Sequence, residues 1–554
     1  MAEIALGSYP AKRCARSTHN RFDPTAPTLG PPDPARQALV DAGIAFEAAV
    51  VETLAPTLGD GVVVVDAADW SAAVEQTAAA MDAGVPVIAG ARLPNVNGRS
   101  GAPDLLIRHG DGYLPVDIKN HKTLDSPTRS TSPRSRASVQ VAPLSAPGQI
   151  HTVTGLRADS GKRREDAMQL AHYTRMLQDL GRHGGELIGG VIGATDLTAA
   201  LGTAQGVVWH PLEDTLARYD EEFALRLRVA EAAREGRELV RPVRISECDS
   251  CDWFPHCAQV AGPDDASFAV LTGHLSLPEW RHLYDTVGDG ARLTVEELAG
   301  VDVEAHRESF AALGQRSGLT RLANAVRRAA MTVTGVDVEP NGSGWPDVPT
   351  ADIEIDFDIE HDMDHIYQWG VRIRDGQDDA TARYEPTVSF DPMDDAGEAA
   401  LADEFADWLE AVLADARRTG RSVTVFHWSP VEIHKSAKFP RVAAALAGHT
   451  VDLMAWFKAE FFARTSSSIK AVAPLFGFDW DHEDSGGLTA LLRIEQARAG
   501  SVEAKDWCLR YNCDDTAAQA AIRDGLRALR PPGPAAARRS DRPPTPHTPS
   551  ATRS

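Results

Sequence analysis

The sequence predicts a multidomain α/β protein. Its 554 residues are too many for a single hydrophobic core, so we expect about three domains. In both halves of the chain, short apolar runs typical of strands alternate with longer amphipathic stretches typical of helices. Helices that alternate with strands pack against sheets, which is the α/β arrangement.

Composition and charge narrow the class of protein. The chain is 43% hydrophobic and 24% charged, as globular proteins are. No apolar run is long enough to span a membrane and the N-terminus has no apolar secretion core, so we expect a cytoplasmic protein without a membrane partner. The net charge of −23 argues against a protein that coats DNA through a basic surface. Six cysteines then indicate metal ligands or free thiols.

A predicted hairpin at residues 101–120 organises the first half of the chain. Residues 103–108 and 113–119 are strand-like, and the sequence HGDG between them favours a turn. Asp104 belongs to the first strand, and Asp117 and Lys119 share one face of the second. Two carboxylates suit Mg²⁺ or Mn²⁺, and a neighbouring lysine can orient and deprotonate a water. The alternative is a surface hairpin with ordinary charges.

Two predicted helices flank this hairpin in the sequence. Residues 33–54 form the first and carry Glu47, which is a solvated glutamate if it has no function. Residues 164–180 form the second, where Gln169 and Tyr173 are four residues apart and share a face. Between the hairpin and the second helix, residues 125–146 are rich in Ser, Pro and Arg and predict a loop.

Four cysteines could bind a metal. Cys248, Cys251 and Cys257 follow a C-x₂-C-x₅-C pattern, and Cys14 is the only cysteine before the hairpin. Three thiolates so closely spaced are typical of metal ligands, with a fourth ligand from elsewhere. The spacing alone does not separate zinc from an iron–sulfur cluster, and free thiols remain the alternative.

Together these features resemble RecB-like nucleases with a PD-(D/E)XK core. Asp104, Asp117 and Lys119 stand at the motif positions. In that family an acidic residue on the preceding helix completes the metal site, a place matched by Glu47. A Q-x-x-x-Y helix lines the site and contacts the nucleic-acid backbone, which the resemblance assigns to Gln169 and Tyr173.

The cysteines extend the resemblance to an iron–sulfur subset of the same family. Members of that subset have one cysteine before the nuclease core and three after it, the order found here. The resemblance therefore implies a 4Fe–4S cluster on Cys14, Cys248, Cys251 and Cys257 that clamps the two ends of the domain together. Zinc is the alternative occupant.

The second half contains an acidic strand with strict alternation. In DIEIDFDIE, residues 352–360, the apolar side chains face one way and five acids face the other. Acids in one row repel each other unless cations or solvent screen them. The pattern alone indicates a half-buried edge strand with a solvated acidic face. Residues 261–345 before it are helical and predict a spacer.

The acidic strand and three later residues resemble an RNase H-fold exonuclease of the DEDD type, with the YprB-like domain as the nearest pattern. Its D-x-E metal ligands fall on Asp358 and Glu360, with Asp356 as the register alternative. Glu432 stands where the family usually has aspartate. Tyr511 and Asp515, in a Y-x₃-D pattern, would supply a water-orienting tyrosine and the last carboxylate. Such a four-acid set holds two cations in a phosphodiesterase.

These resemblances imply two nuclease cores joined by a spacer. We expect a RecB-like PD-(D/E)XK domain at residues 1–260, the spacer at 261–345, an RNase H-like 3′–5′ exonuclease domain at 346–530 and a disordered tail at 531–554. The expected function is metal-dependent hydrolysis of nucleic acid, DNA rather than RNA, in DNA repair, recombination or nucleic-acid processing. The sequence has no GxxxxGK[ST] motif, so any unwinding requires a helicase in trans. The rival hypothesis is a nucleic-acid-binding scaffold with decayed sites, stapled by zinc or an iron–sulfur cluster.

Overall fold

The computed structural model describes residues 3–31, 34–124, 138–157, 163–290, 292–362, 364–481 and 487–529. The predicted tail and most of the predicted loop at 125–146 lie outside these residues. The chain folds into two compact units, Met1–Pro263 and Asp264–Ser554. Among the described helices, none has both the length and the apolar composition needed to cross a membrane.

The first unit is a mixed sheet with helices packed against it. Its strands are β1 Val62–Val64, β2 Val87–Ala89, β3 Leu93–Val96, β4 Arg99–Gly101, β5 Leu105–His109, β6 Gly112–Lys119, β7 Ser138–Pro143, β8 His151–Thr154, β9 Ile188–Gly193 and β10 Gly206–Pro211. Its helices are α1 Ala15–Phe22, α2 Pro34–Leu58, α3 Trp70–Asp82, α4 Arg163–Asp179, α5 Thr198–Leu201, α6 Glu213–Arg234 and α7 Phe254–Ala261. Strand β7 shows that part of the predicted loop is ordered sheet.

The predicted hairpin lies in the middle of the larger sheet, whose order is β1-β2-β5-β6-β9-β10-β7-β8. His109 pairs with Gly112, so the turn between β5 and β6 has two residues. Its first residue is Gly110, whose φ of 57° favours glycine. Asp104 immediately precedes β5 and does not belong to the strand, because the ladder begins at Leu105.

Alternation along β6 separates the core from the polar face. Val116 and Ile118 pack with Val50 and Leu54 of α2 in one apolar cluster. Residues between them point the other way, where α4 packs against both β6 and β9. The sheet thereby presents the side chain of Asp117 toward α4.

The second unit begins with short helices and continues into a five-stranded sheet. Its helices are α8 Ala266–Ala269, α9 Leu277–Thr286, α10 Val295–Ala299, α11 Arg307–Ala312, α12 Gly318–Thr334, α13 Asp395–Thr419, α14 Val431–Ser436, α15 Pro440–Leu446, α16 Leu453–Glu460, α17 Ile469–Val472, α18 Gly487–Arg498 and α19 Val502–Ala528. Its strands are β11 Val338–Pro340, β12 Ile353–His361, β13 Ile366–Asp375, β14 Asp378–Val388, β15 Val423–His427, β16 Thr450–Asp452 and β17 Phe461–Ala463.

Helices α8 to α12 occupy the predicted spacer and belong to the second compact unit. The predicted capping box at the start of α10 forms, with Thr294 accepting from the backbone of Glu297 and the Glu297 carboxylate accepting from the backbone of Thr294. The division of the chain into a first domain, a spacer, a second domain and a tail stays a prediction.

The acidic strand β12 is central rather than an edge strand. The sheet order is β14-β13-β12-β15-β16, with β12 antiparallel to β13 and parallel to β15. The apolar residues of β12 pack with Phe405, Leu409 and Leu413 of α13. The opposite face meets the long helix α19, which begins at the N-cap Ser501. Strand β12 is therefore not an edge strand, and α19 packs against part of its acidic face.

Candidate active sites

The four acids of β12 have different environments along the strand. Glu354 and Asp356 are fully buried and pair with arginines. Arg374 Nη2 lies 2.7 Å and Arg523 Nη2 3.0 Å from Glu354 Oε2, and Arg523 also forms an ion pair with Asp356. Burial opposes ionisation, but the arginines, Arg523 foremost, hold the pKa of Glu354 below its usual range. These acids are neutralised inside the fold, so Asp356 is not available as the alternative metal ligand.

The next two acids of the row converge on a third carboxylate instead. One carboxylate oxygen from each of Asp358, Glu360 and Asp515 lies within 4.8 Å of the other two. Asp358 and Glu360 are partly exposed, and Asp515 extends from α19. Among the described residues, no arginine pairs with Asp358 or Glu360. Three acids at this spacing, two of them partly exposed and none paired with an arginine among the described residues, fit a divalent cation.

The fourth predicted acid, Glu432, lies at the start of α14 beside the same cluster. It is buried, accepts a hydrogen bond from Ser429 Oγ at 2.9 Å, and raises the pKa of Asp358 electrostatically. Glu432 reaches this cluster because it follows β15, which runs parallel to β12 and ends at the same edge of the sheet.

Proton affinities in this cluster are high. Burial, followed by the charges of Glu360, Asp515 and Glu432, raises the pKa of Asp358 well above its usual range. Burial and Asp515 raise the pKa of Glu360 to about 8. Burial raises the pKa of Glu432 to about 7. Carboxyl groups held this closely cannot all ionise without a compensating cation, which is the electrostatic signature of a metal site.

Three further side chains complete the cluster, and the sequence pattern identified only the tyrosine. Tyr511 is buried on α19 one turn before Asp515, with its ring stacked on Trp507 at 4.8 Å. Lys470 Nζ lies 2.8 Å and Trp480 Nε1 2.7 Å from the same oxygen, Asp515 Oδ1.

Asn512 is a further residue that the sequence pattern missed. Its Nδ2 donates to Asp358 Oδ2 at 2.7 Å, and its Oδ1 accepts from Tyr384 at 2.8 Å. Gly370 pairs with Asp358 across the β12–β13 ladder. A Cβ at Gly370 would lie 1.5 Å from Asn512 Oδ1, so glycine is required for this hydrogen bond.

The first unit brings its predicted residues into one cleft. The cleft is lined by residues of the N-terminal segment, α2, the hairpin and α4, among them Glu47, Asp104, Lys119, Gln169 and Tyr173. These residues are far apart in the sequence. The sheet and its two flanking helices therefore converge on one polar cleft beside β6.

Asp117 lies beneath this cleft with no exposed surface. Lys119 Nζ is 3.3 Å from its Oδ2, yet neither Asp117 oxygen accepts a well-directed hydrogen bond from the described residues. Asp104 Oδ2 accepts from Ile118 N at 2.6 Å. A buried carboxylate with two unsatisfied oxygens beside a second carboxylate fits a divalent cation.

The ionisable side chains in this cleft shift one another's pKa values. Burial and then Asp117 raise the pKa of Asp104 to about 8, and burial raises the pKa of Asp117. Burial alone would lower the pKa of Lys119, but Asp117 and Asp104 raise it above its usual range. Lys119 is therefore a cation held between two carboxyl groups.

A second lysine, which the sequence motifs did not indicate, reaches the same cleft from the N-terminal segment. Lys12 Nζ donates to Gln169 Oε1 at 2.8 Å, and Gln169 Nε2 donates to Tyr173 Oη at 3.2 Å. Burial, and then the charge of Lys119, lower the pKa of Lys12 to about 8. The Gln169–Tyr173 pair shares a helix face as its spacing predicts.

The four cysteines of the first unit line one small cavity. Cys14 precedes α1, which packs against α6. Cys248 lies within a single 3₁₀ turn, Cys251 directly follows that turn, and Cys257 lies on α7. Backbone and side-chain donors already approach two of the sulfurs, with Ile245 N 3.5 Å from Cys248 Sγ and Asn20 Nδ2 3.4 Å from Cys257 Sγ. Such N–H groups commonly stabilise metal-bound thiolates.

The four thiols line one cavity, as the ligands of a single metal centre must. Thiolates in this number suit zinc and an iron–sulfur cluster alike.

Comparison with known proteins bears on the second unit. Residues 355–527 match the family model of the RNase_H superfamily. No curated protein and no solved structure is similar enough to this chain to count as a match. The matched segment runs from β12 nearly to the end of α19, so it contains every acid of the carboxylate cluster. The match confirms the predicted RNase H-like core, and residues 355–527 form an RNase H superfamily domain.

Proposed function

We propose that the protein is a metal-dependent nuclease with two separate active sites, one in each compact unit. The observation that carries the proposal is the cluster of Asp358, Glu360 and Asp515, which lacks arginine partners among the described residues and lies within the RNase H superfamily domain. Carboxylates that are not paired with arginine can bind Mg²⁺ or Mn²⁺, as a metal-dependent nuclease requires.

In the second unit, Asp358, Glu360, Glu432 and Asp515 would hold the cations. Bound there, the cations would polarise the scissile phosphate and stabilise the leaving oxygen. Asn512 fixes the orientation of the Asp358 carboxylate through its hydrogen bond. Burial, and then Asp515, raise the pKa of Tyr511 above its usual range, so its hydroxyl keeps its proton and can orient the attacking water by donating or accepting a hydrogen bond.

In the first unit, Asp104, Asp117 and Glu47 would hold the cation, which would activate a water for attack. Lys119 stays protonated between the two aspartates and orients that water as a hydrogen-bond donor. If a bound cation offset the negative charge of both carboxylates, these would no longer stabilise the protonated form of Lys119, and the lysine could then accept a proton. Gln169 and Tyr173 line the same cleft, where they would contact the phosphate backbone of a bound nucleic acid.

The four cysteines are proposed to hold a 4Fe–4S cluster. The cavity that the four cysteines share supports a common metal centre, with zinc as the alternative occupant. Burial raises the pKa of Cys14 and Cys257, and raises that of Cys248 to about 11. Binding would therefore release protons and would order both ends of the unit.

We further propose DNA rather than RNA as the substrate, 3′–5′ exonuclease polarity for the second site, and a helicase in trans for duplex ends. With DNA as its substrate, the protein would act in DNA repair, recombination or nucleic-acid processing in the cytoplasm. The rival hypothesis, a nucleic-acid-binding scaffold with decayed sites, predicts binding without cleavage.

Digestion of end-labelled single- and double-stranded DNA and RNA separates these hypotheses. Purified wild-type protein should release nucleotides or cut strands with Mg²⁺ or Mn²⁺ and be silent in EDTA. Asp358→Asn together with Lys119→Ala should remove this activity while retaining the melting temperature. Metal-dependent binding without cleavage in every condition would favour the scaffold.

A further inference from the structure

We propose that Lys470 is a catalytic residue of the second site and contacts the scissile phosphate as a fixed cation. This inference rests on the proposed nuclease function of the same site. It goes beyond the carboxylates and the tyrosine because it assigns part of the positive charge at the site to the protein itself.

The position of Lys470 is unusually well defined for a lysine. Its ammonium lies 2.8 Å from Asp515 Oδ1, 4.0 Å from the centre of the Trp480 ring and 4.4 Å from the centre of the Tyr511 ring. Two aromatic faces and one carboxylate hold a cation in place more firmly than a carboxylate alone. The chain segment that carries it, α17, packs against α19.

The contacts leave Asp515 with one oxygen for a metal. Oδ1 accepts from both Lys470 and Trp480, so Oδ2 is the oxygen left to share with a cation. If a cation on Oδ2 held the substrate phosphate, the Lys470 ammonium on Oδ1 would be close enough to contact that phosphate. Lysine has three donors and Asp515 uses one, so the others can bind the phosphate.

Comparison with the buried arginines argues against a purely structural role. Arg374 and Arg523 neutralise Glu354 and Asp356 with no exposed side-chain surface. Lys470 keeps 32% of its side-chain surface exposed and stands at the open end of the same acidic row. Lys470 therefore differs from the two arginines in that a phosphate entering the site could reach its ammonium.

Removal of the Lys470 charge should therefore separate cleavage from metal binding. In full-length protein carrying Asp117→Asn, which inactivates the first site, Lys470→Met should lower nucleotide release from end-labelled strands by about 100-fold. The same change removes a positive charge beside the carboxylates, so the dissociation constant for Mn²⁺ at this site should fall. Lys470→Arg keeps the charge and the aromatic contacts, and should recover part of the rate.

Three outcomes decide the proposal, with the melting temperature as a check on folding. Slow cleavage with tighter Mn²⁺ binding supports it. Wild-type cleavage in Lys470→Met overturns it, and so does a parallel loss of cleavage and Mn²⁺ binding, which is what a structural role predicts. Asp358→Asn in the same background tests the underlying function separately, because cleavage retained there would refute the site itself, whatever Lys470 does.

Discussion

At the scale of single residues, identical side chains in one row have opposite roles. Asp356 and Asp358 are two residues apart on the same face of β12, yet Asp356 pairs with Arg523 and Asp358 faces other acids. Local sequence predicts the alternation, because it depends only on the strand. The partners come from α19, more than 150 residues later. The sequence pattern therefore predicted the row but not the division within it.

The residues that the sequence analysis missed share one property. Lys12, Lys470 and Asn512 each reach their site through a hydrogen bond to a residue far away in the chain. The residues that were identified, such as Asp117 with Lys119 and Tyr511 with Asp515, form local patterns that a family resemblance can use. Topology, rather than local periodicity, positions the rest.

The raised carboxyl pKa values predict a pH-dependent stability. Glu360, with a pKa of about 8, holds a proton in the folded state that the unfolded chain releases at about pH 4. The folded protein thus binds more protons between these values, and the free energy of unfolding falls as pH rises. The melting temperature in EDTA should therefore drop from pH 7 to pH 8, and Mn²⁺ should restore it most at pH 8.

A variant isolates this effect from other titrating groups. Buried His172 and His210, whose pKa burial lowers to about 4, are neutral in the folded state but partly protonated at pH 7 in the unfolded chain, so they make the free energy of unfolding rise slightly with pH, opposite to Glu360. Glu360→Gln should flatten the pH dependence in EDTA and weaken the response to Mn²⁺. An EDTA-treated wild type at least as stable at pH 8 as at pH 7, relative to Glu360→Gln, would refute this account of the cluster.

At the scale of elements, Arg523 joins β12 to α19, which together carry three of the four proposed metal ligands. It lies on α19 with no exposed surface and binds both Glu354 and Asp356 of β12. Arg523→Met would leave two buried carboxylates short of a counter-charge, which should cost about 3–5 kcal/mol of unfolding free energy. Urea unfolding followed by circular dichroism measures this loss.

Arg441 provides the matched control. It forms ion pairs with Asp407 and Glu410 at the surface, where solvent screens them. Arg441→Met should leave the urea midpoint nearly unchanged. Equal effects of the two substitutions would show that burial does not set the importance of the Arg523 network.

If a metal centre on the four cysteines holds the two ends of the first unit together, removing one ligand should destabilise that unit. Cys14→Ala should lose most of the iron and the visible absorbance of anaerobically purified protein, and should lower the melting temperature of the first unit. Cys513→Ala is the control, because Cys513 lies on α19 in the second unit. Full iron content in Cys14→Ala would exclude that cysteine as a ligand, and zinc in place of iron would exclude the cluster.

Some strands of this protein can be predicted from local sequence patterns, and others cannot. Hairpin β5–β6 and strand β12 were predictable from turn chemistry and alternation. Strand β7 was not, because its residues follow a Ser-, Pro- and Arg-rich stretch and its pairing with β10 requires a distant partner. The central position of β12 likewise depends on β15, which is not adjacent in the sequence.

At the scale of the whole molecule, each compact unit has its own core and its own group of acids. The first group surrounds the hairpin within Met1–Pro263, and the second surrounds β12 within Asp264–Ser554. No proposed ligand of one site comes from the other unit. A substitution that inactivates one site should therefore leave the other unchanged.

Four proteins test this central claim most directly: wild type, Lys119→Ala, Asp358→Ala and the double variant. Each is assayed with Mg²⁺ or Mn²⁺ for nucleotide release from end-labelled strands and for nicking of a closed DNA circle. We predict that Lys119→Ala removes one activity, that Asp358→Ala removes the other by about 100-fold or more, and that the double variant is folded and inert. Loss of all activity in both single variants, or wild-type cleavage by the double variant, would contradict two separate sites at these residues.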